Sequence, residues 1–418
     1  MPRSTLLLSV LLLFAAAHAW AADWTQFRGP GGLGVSQEEG LPTTWSSTEN
    51  VVWKTPLPGP GASSPITLGK HVFLTCYSGY GLEPAQGDQK DLVRHLLCLD
   101  RTNGQVVWHK QFQPKLPEHK YEGEGSYHGY AASTPTTDGQ RLYVFFGKSG
   151  VYCFDLAGNQ LWNADVGEDI NGWGSGCSPV LHGDLVLINA SVENRALVAL
   201  DKKTGREVWR TDGINSSWNT PLLVKTDKGD TEIVVSIQSR VFGFHPKNGQ
   251  KLWDAHGVED YVCPSVVAHD ANVYILGAGN TSLAVRSGGS GDVTDSHGVW
   301  RVNKGSNVSS PIYHEGRLYW TRDGSTVCCQ DAKTGDFVYE KRFRPASGNI
   351  WASPVLADGK LYFVSQHKGT FVVAAKPEYE LLAHNVFPDD DSRANASPAV
   401  SNRQLFLRTD RNLYCLGK

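Results

Sequence analysis

The chain has 418 residues, and its 39 Lys and Arg against 42 Asp and Glu give a formal net charge of −3. This weakly acidic balance, without any lysine- or arginine-rich run, excludes the electrostatic footprint of a protein that binds nucleic acid. The 44 Gly, 13 Trp and 15 Tyr beside a single Met indicate many turns between aromatic-rich strands, which is typical of one large, closed all-β domain.

The first 21 residues have the layout of a secretory signal peptide. Arg3 precedes an apolar run at residues 6–17, and Ala19-Trp20-Ala21 fits a cleavage site. The run is too short for a membrane-spanning helix, with an uncleaved anchor as the alternative, and no later segment is apolar for long enough to cross a bilayer. We therefore expect a periplasmic or secreted protein with a signal peptide at 1–21, an N-terminal extension at 22–50 and a single domain at 51–418.

From residue 64 onward, a Ser-Pro or related dipeptide recurs at nearly constant spacing. Six of the seven steps between successive prolines measure 42 to 47 residues, which is the length of a four-stranded propeller blade, about 40 to 50 residues. Turns such as Asp138-Gly139 separate β-rich runs within each unit. The marks predict an all-β, eight-bladed β-propeller of four-stranded antiparallel blades. They are Ser64-Pro65, Thr134-Pro135, Ser178-Pro179, Thr220-Pro221, Cys263-Pro264, Ser310-Pro311, Ser353-Pro354 and Ser397-Pro398.

The turn between the third and fourth strands has a fixed composition, clearest at Ala199, Asp201, Gly205 and Trp209. The Asp can accept backbone N–H groups across the turn, the Gly supplies a positive φ, and the Trp buries a large surface between blades. The first position must stay small so that the neighbouring ring fits. We therefore expect buried free thiols where Cys occupies it, with disulfides, including a Cys76–Cys98 pair, or metal binding as alternatives. These cysteines are Cys98, Cys153, Cys329 and Cys415.

Ring closure is also visible in the sequence. The last unit supplies only three strands, the final one at residues 413–416, whereas residues 51–54 form an orphan strand with Trp53 before the first mark. We expect this N-terminal strand to pair into the last blade and close the ring, which leaves only short, protected edges.

Several stretches carry a family resemblance: residues 23–30 (DWTQFRGP), 34–36, 52–59, 63–65, 291–294, 300–301 and 413–416. With the docking turn (A-x-D-x-x-x-G-x-x-x-W), they resemble the PQQ-binding-like, or quinoprotein alcohol dehydrogenase-like, β-propeller repeat family of exported bacterial proteins. The resemblance covers essentially the whole chain after the signal peptide. It implies one of two functional classes, either calcium- and PQQ-dependent dehydrogenases or non-catalytic scaffolds of the outer-membrane assembly factor (BamB) type. Fold alone does not choose between them.

The first blade carries the long step of 70 residues, which places insertions at 76–95 and 111–130. One joins the second and third strands and the other crosses to the next blade, so both should lie on the face opposite the Asp-Gly turns, as one lid beside the channel. Long loops on a rigid scaffold commonly carry function. The second insertion holds His119, Glu122, Glu124 and His128, which could bind a metal but match no standard spacing. We assign no metal and favour a solvated polar loop.

Residues just before the proline marks should line the channel mouth. Trp218 and Trp351 could sandwich a flat ligand by stacking or could simply plug the channel. The candidate cofactor- or ligand-binding residues are Trp218, Asn219, Trp351, Asn395 and, beside the lid, Trp173. Acidic runs at 168–169, 259–260 and 389–391 could bind Ca²⁺ or form a solvated rim. The resemblance suggests comparing Cys328-Cys329 with the vicinal disulfide of some PQQ enzymes, but this pair lies inside a predicted strand.

These observations favour an exported, non-catalytic binding or scaffold protein that holds a protein partner or a small extracytoplasmic ligand on its lid-bearing face. The alternative is a PQQ- and Ca²⁺-dependent quinoprotein dehydrogenase that oxidises alcohols or sugars. The resemblance would then require a catalytic Asp with Glu and Asn calcium ligands, and no such trio can be assigned. A sugar-binding module that uses the mouth tryptophans is a third alternative. No Cys-x-x-Cys-His is present, which excludes an attached c-type haem.

Overall fold

Eight sheets follow one another along the chain, each built on four antiparallel strands, and in seven of them these strands pair in sequence order. The computed structural model describes residues 23–83, 86–123, 125–278 and 280–417, so the expected signal peptide and Glu124 lie outside the described residues. The sheets are the blades of an eight-bladed β-propeller, which confirms the predicted fold class. Within the described residues, no helix is long and apolar enough to span a membrane.

Each blade runs from an innermost strand at the propeller axis to an outermost strand at the rim. In that order, blade 1 holds Ile66–Leu68, His71–Ser78, Val93–Asp100 and Val106–Phe112; blade 2 holds Thr136–Thr137, Arg141–Phe145, Val151–Asp155 and Gln160–Ala164. Blade 3 holds Val180–His182, Leu185–Ala190, Ala196–Asp201 and Glu207–Asp212; blade 4 holds Leu222–Lys225, Thr231–Ile237, Arg240–Phe244 and Lys251–His256. Blade 5 holds Val267–His269, Asn272–Gly277, Thr281–Arg286 and Gly298–Val302; blade 6 holds Ile312–His314, Arg317–Arg322, Thr326–Asp331 and Phe337–Arg342. Blade 7 holds Val355–Ala357, Lys360–Val364, Thr370–Ala374 and Leu381–Asn385; blade 8 holds Ala399–Ser401, Gln404–Arg408, Asn412–Leu416 and, outermost, Val51–Pro56.

Short helices and turns lie in the connections between these strands. Single-turn α-helices lie at Gly125–His128, Ser191–Asn194 and Thr294–His297, and 3-10 turns lie at Pro30–Gly32, Gln89–Asp91 and Gly147–Ser149. An extra strand, Gly291–Asp292, pairs in parallel with the outermost strand of blade 4.

The N-terminal strand closes the ring as predicted, although it extends two residues further, to Pro56. It pairs antiparallel with the last strand of the chain, with Trp53 opposite Cys415 and Thr55 opposite Leu413. The first and last parts of the domain therefore share one blade, which leaves the ring without an open sheet edge between its ends.

Most outermost strands contact the next blade through an aromatic ring. Trp108 lies opposite Cys98 on its own blade and donates its Nε1–H to the carbonyl of Leu156 in blade 2. A Cβ atom on Gly158, whose φ is +82°, would lie only 2.9 Å from the Trp108 ring. The turn glycine of the next blade therefore provides the space for the ring. This corrects the expectation that the small residue at the Cys98 position makes room for a neighbour's ring, since that residue faces its own blade.

Trp253 departs from this arrangement because blade 5 lacks the docking turn. An insertion that contains Gly291–Asp292 and the helix Thr294–His297 replaces the turn. Trp253 instead donates its Nε1–H to Glu232 Oε2 at 2.7 Å within its own blade. A Cβ on Gly243 would lie 2.1 Å from Trp253 Nε1, which explains why glycine occupies the small position here.

A chain of hydroxyl groups connects the innermost strands around the axis. In each of seven consecutive blade pairs, a backbone N–H at the start of one blade donates to the Ser or Thr hydroxyl of the next, at 2.9 to 3.0 Å. In blade 5 the hydroxyl belongs to Ser265, which follows Pro264. The repeat mark expected at Cys263-Pro264 is therefore displaced, because the structure repeats the hydroxyl and not the proline. The participants are Ser64, Thr134, Ser178, Thr220, Ser265, Ser310, Ser353 and Ser397.

The N-terminal extension crosses the face that bears the turns between first and second strands. Trp24 and Thr25 accept backbone hydrogen bonds from Thr67 in blade 1 and Thr137 in blade 2. Arg28 is only 1% exposed, and its Nη2 donates to the carbonyl oxygens of Leu33 and of Pro311 in blade 6. The extension thus spans the ring from blade to blade, which places its aromatic side chains at the end of the axial channel.

Candidate functional site

A cavity of about 340 Å³ occupies the channel on the propeller axis. Its lining combines one aromatic side chain from the extension, residues of the lid, and residues from the inner ends of most blades. The lining residues are Phe27, Ala62, Tyr127, His128, Ala132, Trp173, Gly176, Ser178, Trp218, Thr220, Tyr261, Cys263, Ser265, Asn307, Val308, Ser310, Trp351, Ser353, Asn395 and Ser397.

Phe27 lies at the end of the cavity that faces the N-terminal extension. Its side chain lines the axial cavity and also a small pocket of about 70 Å³ next to Gly32 and Leu222. Phe27 therefore borders both spaces, at the end of the channel that the extension crosses. The lid lies at the opposite end.

The two first-blade insertions lie together, as the strand order leads one to expect. Gln89 Nε2 donates to the carbonyl oxygens of Glu118 and His119 at 2.8 and 3.1 Å. Arg94 and Glu118, both at most 6% exposed, form an ion pair of 2.8 Å beneath them. The strands extend into the predicted insertions, so the loops themselves span residues 79–92 and 113–135. We call these two loops the lid.

The lid reaches across the axis to the far side of the ring. The Tyr127 ring meets the Trp351 ring at 4.6 Å between centroids, with an angle of 64°. Asn395 Nδ2 donates to the Tyr127 carbonyl at 2.5 Å, and Arg393 Nη1 donates to the Ser126 carbonyl at 2.9 Å. A segment that begins in blade 1 is therefore tied to the crossings before blades 7 and 8.

Three aromatic rings form one continuous wall of the cavity. Trp173 lies 5.0 Å from Trp218 and 4.4 Å from Tyr261 between ring centroids, the latter pair at 88°. Trp218 is held by its Nε1–H, which donates to the Gly174 carbonyl at 2.8 Å. These ring contacts, edge-to-face between Trp173 and Tyr261, fix the rings relative to one another and present a rigid apolar surface.

The polar part of the lining is neutral. Among the described residues that line the cavity, none is Asp, Glu, Lys or Arg. Burial lowers the pKa of His128 to about 4, so this imidazole is uncharged at neutral pH. Hydroxyls and amides, from residues such as Ser310, Ser353 and Asn307, supply the hydrogen-bonding groups.

Four of the five predicted binding residues lie in this lining: Trp173, Trp218, Trp351 and Asn395. Asn219 does not. Its side chain is fully buried and donates to Ser217 Oγ at 2.9 Å and to the Ser236 carbonyl at 2.6 Å. Successive residues of an extended segment point to opposite sides, so Trp218 and Thr220 face the cavity while Asn219 faces the blade.

Sequence reasoning missed Phe27, Tyr127, Tyr261 and Asn307 as lining residues. Tyr127 and Tyr261 lie on connections next to residues that the loop argument did name, so loop position was a usable signal for them. Phe27 carries no such signal, because only the path of the extension places it on the axis.

The acidic crossings are neutralised by basic neighbours. Asp389 pairs with Lys54 at 3.0 Å, Glu259 with Arg301 at 3.5 Å, and Glu168 with Lys115 at 3.7 Å. Within the described ranges, no three His, Cys, Asp or Glu side chains come together as a metal site. Of the lid residues considered for metal binding, His119 is buried, Glu122 is exposed and Glu124 is not described.

PQQ with Ca²⁺ does not fit this cavity. PQQ is a tricarboxylate, so its binding calls for cationic side chains or for a bound cation with oxygen ligands that include carboxylates. The described lining supplies neither kind of side chain. Cys328 and Cys329 are separate free thiols, buried in the third strand of blade 6 with Cys329 opposite Tyr339. They therefore do not form the vicinal disulfide with which the family resemblance suggested comparing them.

All eight cysteines are free thiols, and those at the small docking position are fully buried. Cys98 faces Trp108, Cys153 faces Trp162, and Cys415 faces Trp53 across paired strands. Cys76 lies on a neighbouring strand from Cys98, opposite His95, and its thiol contacts Arg408 Nη2 at 3.4 Å. The structure therefore contains no Cys76–Cys98 bridge.

Comparisons with known proteins identify a matching family and solved structures with a similar fold. The family profile described as outer membrane protein assembly factor BamB matches residues 94–297 and 289–378. No curated protein matches the sequence significantly. BamB from Moraxella catarrhalis has a similar structure, with a TM-score of 0.62 and 11% identity over 88% of this chain and 97% of that chain.

Enzymes of the quinoprotein type share the fold as well. The quinohemoprotein alcohol dehydrogenase from Comamonas testosteroni gives a TM-score of 0.68 at 9% identity, covering 94% of this chain and 80% of that chain. A europium-containing methanol dehydrogenase gives 0.65 at 10% identity, covering 95% and 98%. At such low identity these likenesses establish the fold and not an activity.

Proposed function

Because the chain belongs to the family of the outer membrane protein assembly factor BamB, we propose that it is a non-catalytic binding protein that holds a ligand or partner at its lid-bearing face. The observation that carries this proposal is the axial cavity, which the extension borders at one end and the lid at the other. Concave, mostly apolar sites with a few convergent polar groups are the usual form of a ligand-binding site.

The chemistry of the cavity favours binding over catalysis. A general acid or base needs a titratable group close to the reacting atom, and a nucleophile needs an activating partner. His128 is the one imidazole in the described lining, and burial holds it neutral. Burial also raises the pKa of Cys263, the thiol in the lining, to about 12, which makes it a poor nucleophile at neutral pH.

Export is part of the proposal. It rests on the charged, apolar and small-residue segments of residues 1–21 and agrees with the family's association with the outer membrane. The location that follows is the periplasm or the exterior, where a partner protein or a small extracytoplasmic ligand would meet the lid.

A fragment screen by ligand-observed NMR tests the proposal. The library should contain neutral, anionic and cationic ring compounds at equal numbers, and hits should be repeated on Trp218→Ala and Tyr313→Ala. Trp218 belongs to the cavity wall, whereas Tyr313 stacks on His269 at the opposite face with 4.1 Å between centroids. The proposal predicts hits that lose binding in Trp218→Ala and keep it in Tyr313→Ala.

Two outcomes would overturn it. A screen without any hit that depends on Trp218 would remove the axial cavity as the binding site. Turnover of a bound compound by the purified protein would show that the protein is an enzyme.

A further inference from the structure

We infer that the axial cavity binds a neutral sugar ring, either free or at the end of a glycan chain. This inference rests on the proposed function and names its ligand class. A pyranose has apolar C–H faces and a rim of hydroxyl groups that both donate and accept. The cavity offers a complementary surface for each part.

The apolar part is the aromatic wall of Trp173, Trp218 and Tyr261. The face of an aromatic ring suits the C–H face of a sugar. A quaternary ammonium ion is held most tightly where several ring faces surround it, each with its centroid about 6 Å or less from the cation. Here the rings of Trp173 and Tyr261 contact each other at 4.4 Å between centroids, so no space for a cation remains between them.

The polar part is an arc of Ser hydroxyl groups from the chain of hydroxyls around the propeller axis, at the floor of the cavity. The hydroxyl oxygens of Ser178, Ser265, Ser310 and Ser353 each accept one backbone N–H from the preceding blade. A hydroxyl has one proton to donate and two lone pairs, so each retains a donor and an acceptor. No protein acceptor for these protons is found among the described residues. The result is an arc of convergent, neutral groups that can each donate and accept.

Two further hydroxyls, from Thr220 and Ser397, continue this arc in the lining. Asn395 lies at the other end of the cavity and is held by Gln366 Nε2, which donates to its Oδ1 at 2.9 Å. Hydrogen-bonding capacity therefore occurs both at the floor and near the lid, as a ligand with hydroxyl groups around its rim requires.

The absence of charged side chains from the described lining favours uncharged ligands over charged ones. Transfer of a carboxylate, phosphate or ammonium group into a cavity without an opposite charge carries a large desolvation penalty. The described lining has no charged side chain to offset it. Uronic acids, sugar phosphates and amino sugars should therefore bind more weakly than their neutral counterparts.

The size of the cavity agrees with a small ligand. Its volume of about 340 Å³ lies at the lower end of the range for ligand pockets, which is roughly 300 to 1,000 Å³. A monosaccharide, or the terminal ring of a longer chain with the remainder passing the lid, would fill it.

Isothermal titration calorimetry with a charge-matched series tests this inference. Glucose, glucuronate and glucosamine share one ring and differ in charge, and N-acetylglucosamine restores neutrality to the last. The neutral series should also contain galactose, mannose and disaccharides of each sugar. At least one neutral sugar should bind at least about tenfold more tightly than its charged counterparts. Tighter binding of the disaccharide than of its monosaccharide would indicate a chain end as the natural ligand, and equal binding would indicate a free sugar.

Variants locate the binding. Trp218→Ala should weaken it at least about tenfold, Trp218→Phe should restore part of it, and Tyr313→Ala should leave it unchanged, with thermal melting showing that each variant is folded. If the fragment screen yields ligands that depend on Trp218 but no neutral sugar binds, the sugar inference fails while the proposed function stands. If a charged sugar binds best, the inference from neutrality is wrong.

Discussion

The ring of Tyr127, in a loop of blade 1, packs against the ring of Trp351, on the crossing between blades 6 and 7, with 4.6 Å between their centroids. This contact joins parts of the ring that are far apart in sequence and lies over the axial cavity, which both residues line. The lid is therefore anchored at both ends, in blade 1 through Arg94 and across the axis through Trp351.

Two substitutions should separate the binding role of the lid from its structural role. Tyr127 lines the cavity, so Tyr127→Ala should weaken ligand binding. Because the side chain is 42% exposed, the free energy of unfolding should stay nearly unchanged. Glu118→Gln should lower that free energy by about 3 kcal/mol, because it leaves the buried Arg94 guanidinium without its charged partner. Denaturant unfolding of both variants measures the difference.

Deletion of residues 118–127, within the lid, should abolish ligand binding. A fully exposed loop could be removed at little cost in stability. The buried Glu118 and Tyr121 make that segment a structural strap, so the deletion should destabilise the protein as well. Equal stability of Glu118→Gln and Tyr127→Ala would contradict this interpretation.

Phe27→Ala should widen the end of the axial channel that the extension crosses. The side chain borders both the cavity and the pocket beside Gly32 and Leu222, and its loss should join the two. A bulky maleimide should then modify Cys263 several-fold faster than in the wild type. The stability cost should stay below the roughly 3 to 5 kcal/mol of a fully buried Phe, since Phe27 is half-buried. An unchanged rate of modification would show that Phe27 does not narrow the channel.

The stability of the protein should fall as the pH rises from about 4.5 to about 7, because of Glu193. Burial raises the pKa of this carboxyl from 4.5 to about 7, and its Oε1 accepts a hydrogen bond from Ser175, close to Trp173. The folded state therefore keeps the proton that the unfolded state releases, so the contribution is lost as the pH rises and is constant above about 7.

Glu193→Gln keeps an oxygen that can accept from Ser175 and removes the titration. At pH 8 the variant should be more stable than the wild type by an amount on the order of 3 kcal/mol, from 1.36 kcal/mol per pKa unit. At pH 4 the two proteins should be nearly equal. Denaturant unfolding across this pH range provides the measurement, and parallel pH profiles would refute the role of Glu193.

The repeat was readable from the sequence because each blade uses the same local chemistry. Asp201, Gly205 and Trp209 fix a turn and an interblade contact, so their spacing predicts strands, blades and ring closure without any long-range information. Trp218 and Trp351 could be placed at the channel for the same reason, since each precedes a repeat mark.

Features set by the path of the chain were not readable in this way. Phe27 reaches the axis only because the extension crosses several blades, and no periodicity records that path. The prediction places both Trp218 and Asn219 at the cavity, but only Trp218 faces it. Side chains alternate along an extended segment, and the sequence alone does not show which of two neighbours faces the axis. Cys263-Pro264 misplaced the mark of blade 5, since the contact that repeats is the hydroxyl of Ser265.

PQQ with Ca²⁺ should produce neither binding nor turnover. The cavity offers the tricarboxylate no cationic side chain in its described lining, so the absorbance of PQQ should not change on addition of protein. Dye-linked oxidation of alcohols and aldoses should stay at the level of a protein-free control. A saturable change in absorbance together with turnover would support the dehydrogenase alternative instead.

Ligand protection of Cys263 tests the central claim most directly. Cys263 is partly accessible and lines the axial cavity, whereas the other seven cysteines are buried. Peptide mass spectrometry should follow slow labelling by a small neutral thiol reagent, with and without a saturating amount of the sugar or fragment that binds best. We predict at least about tenfold slower labelling of Cys263 in the presence of ligand, with the other thiols unlabelled throughout. A bound ligand that leaves the labelling rate of Cys263 unchanged would place the binding site outside the axial cavity.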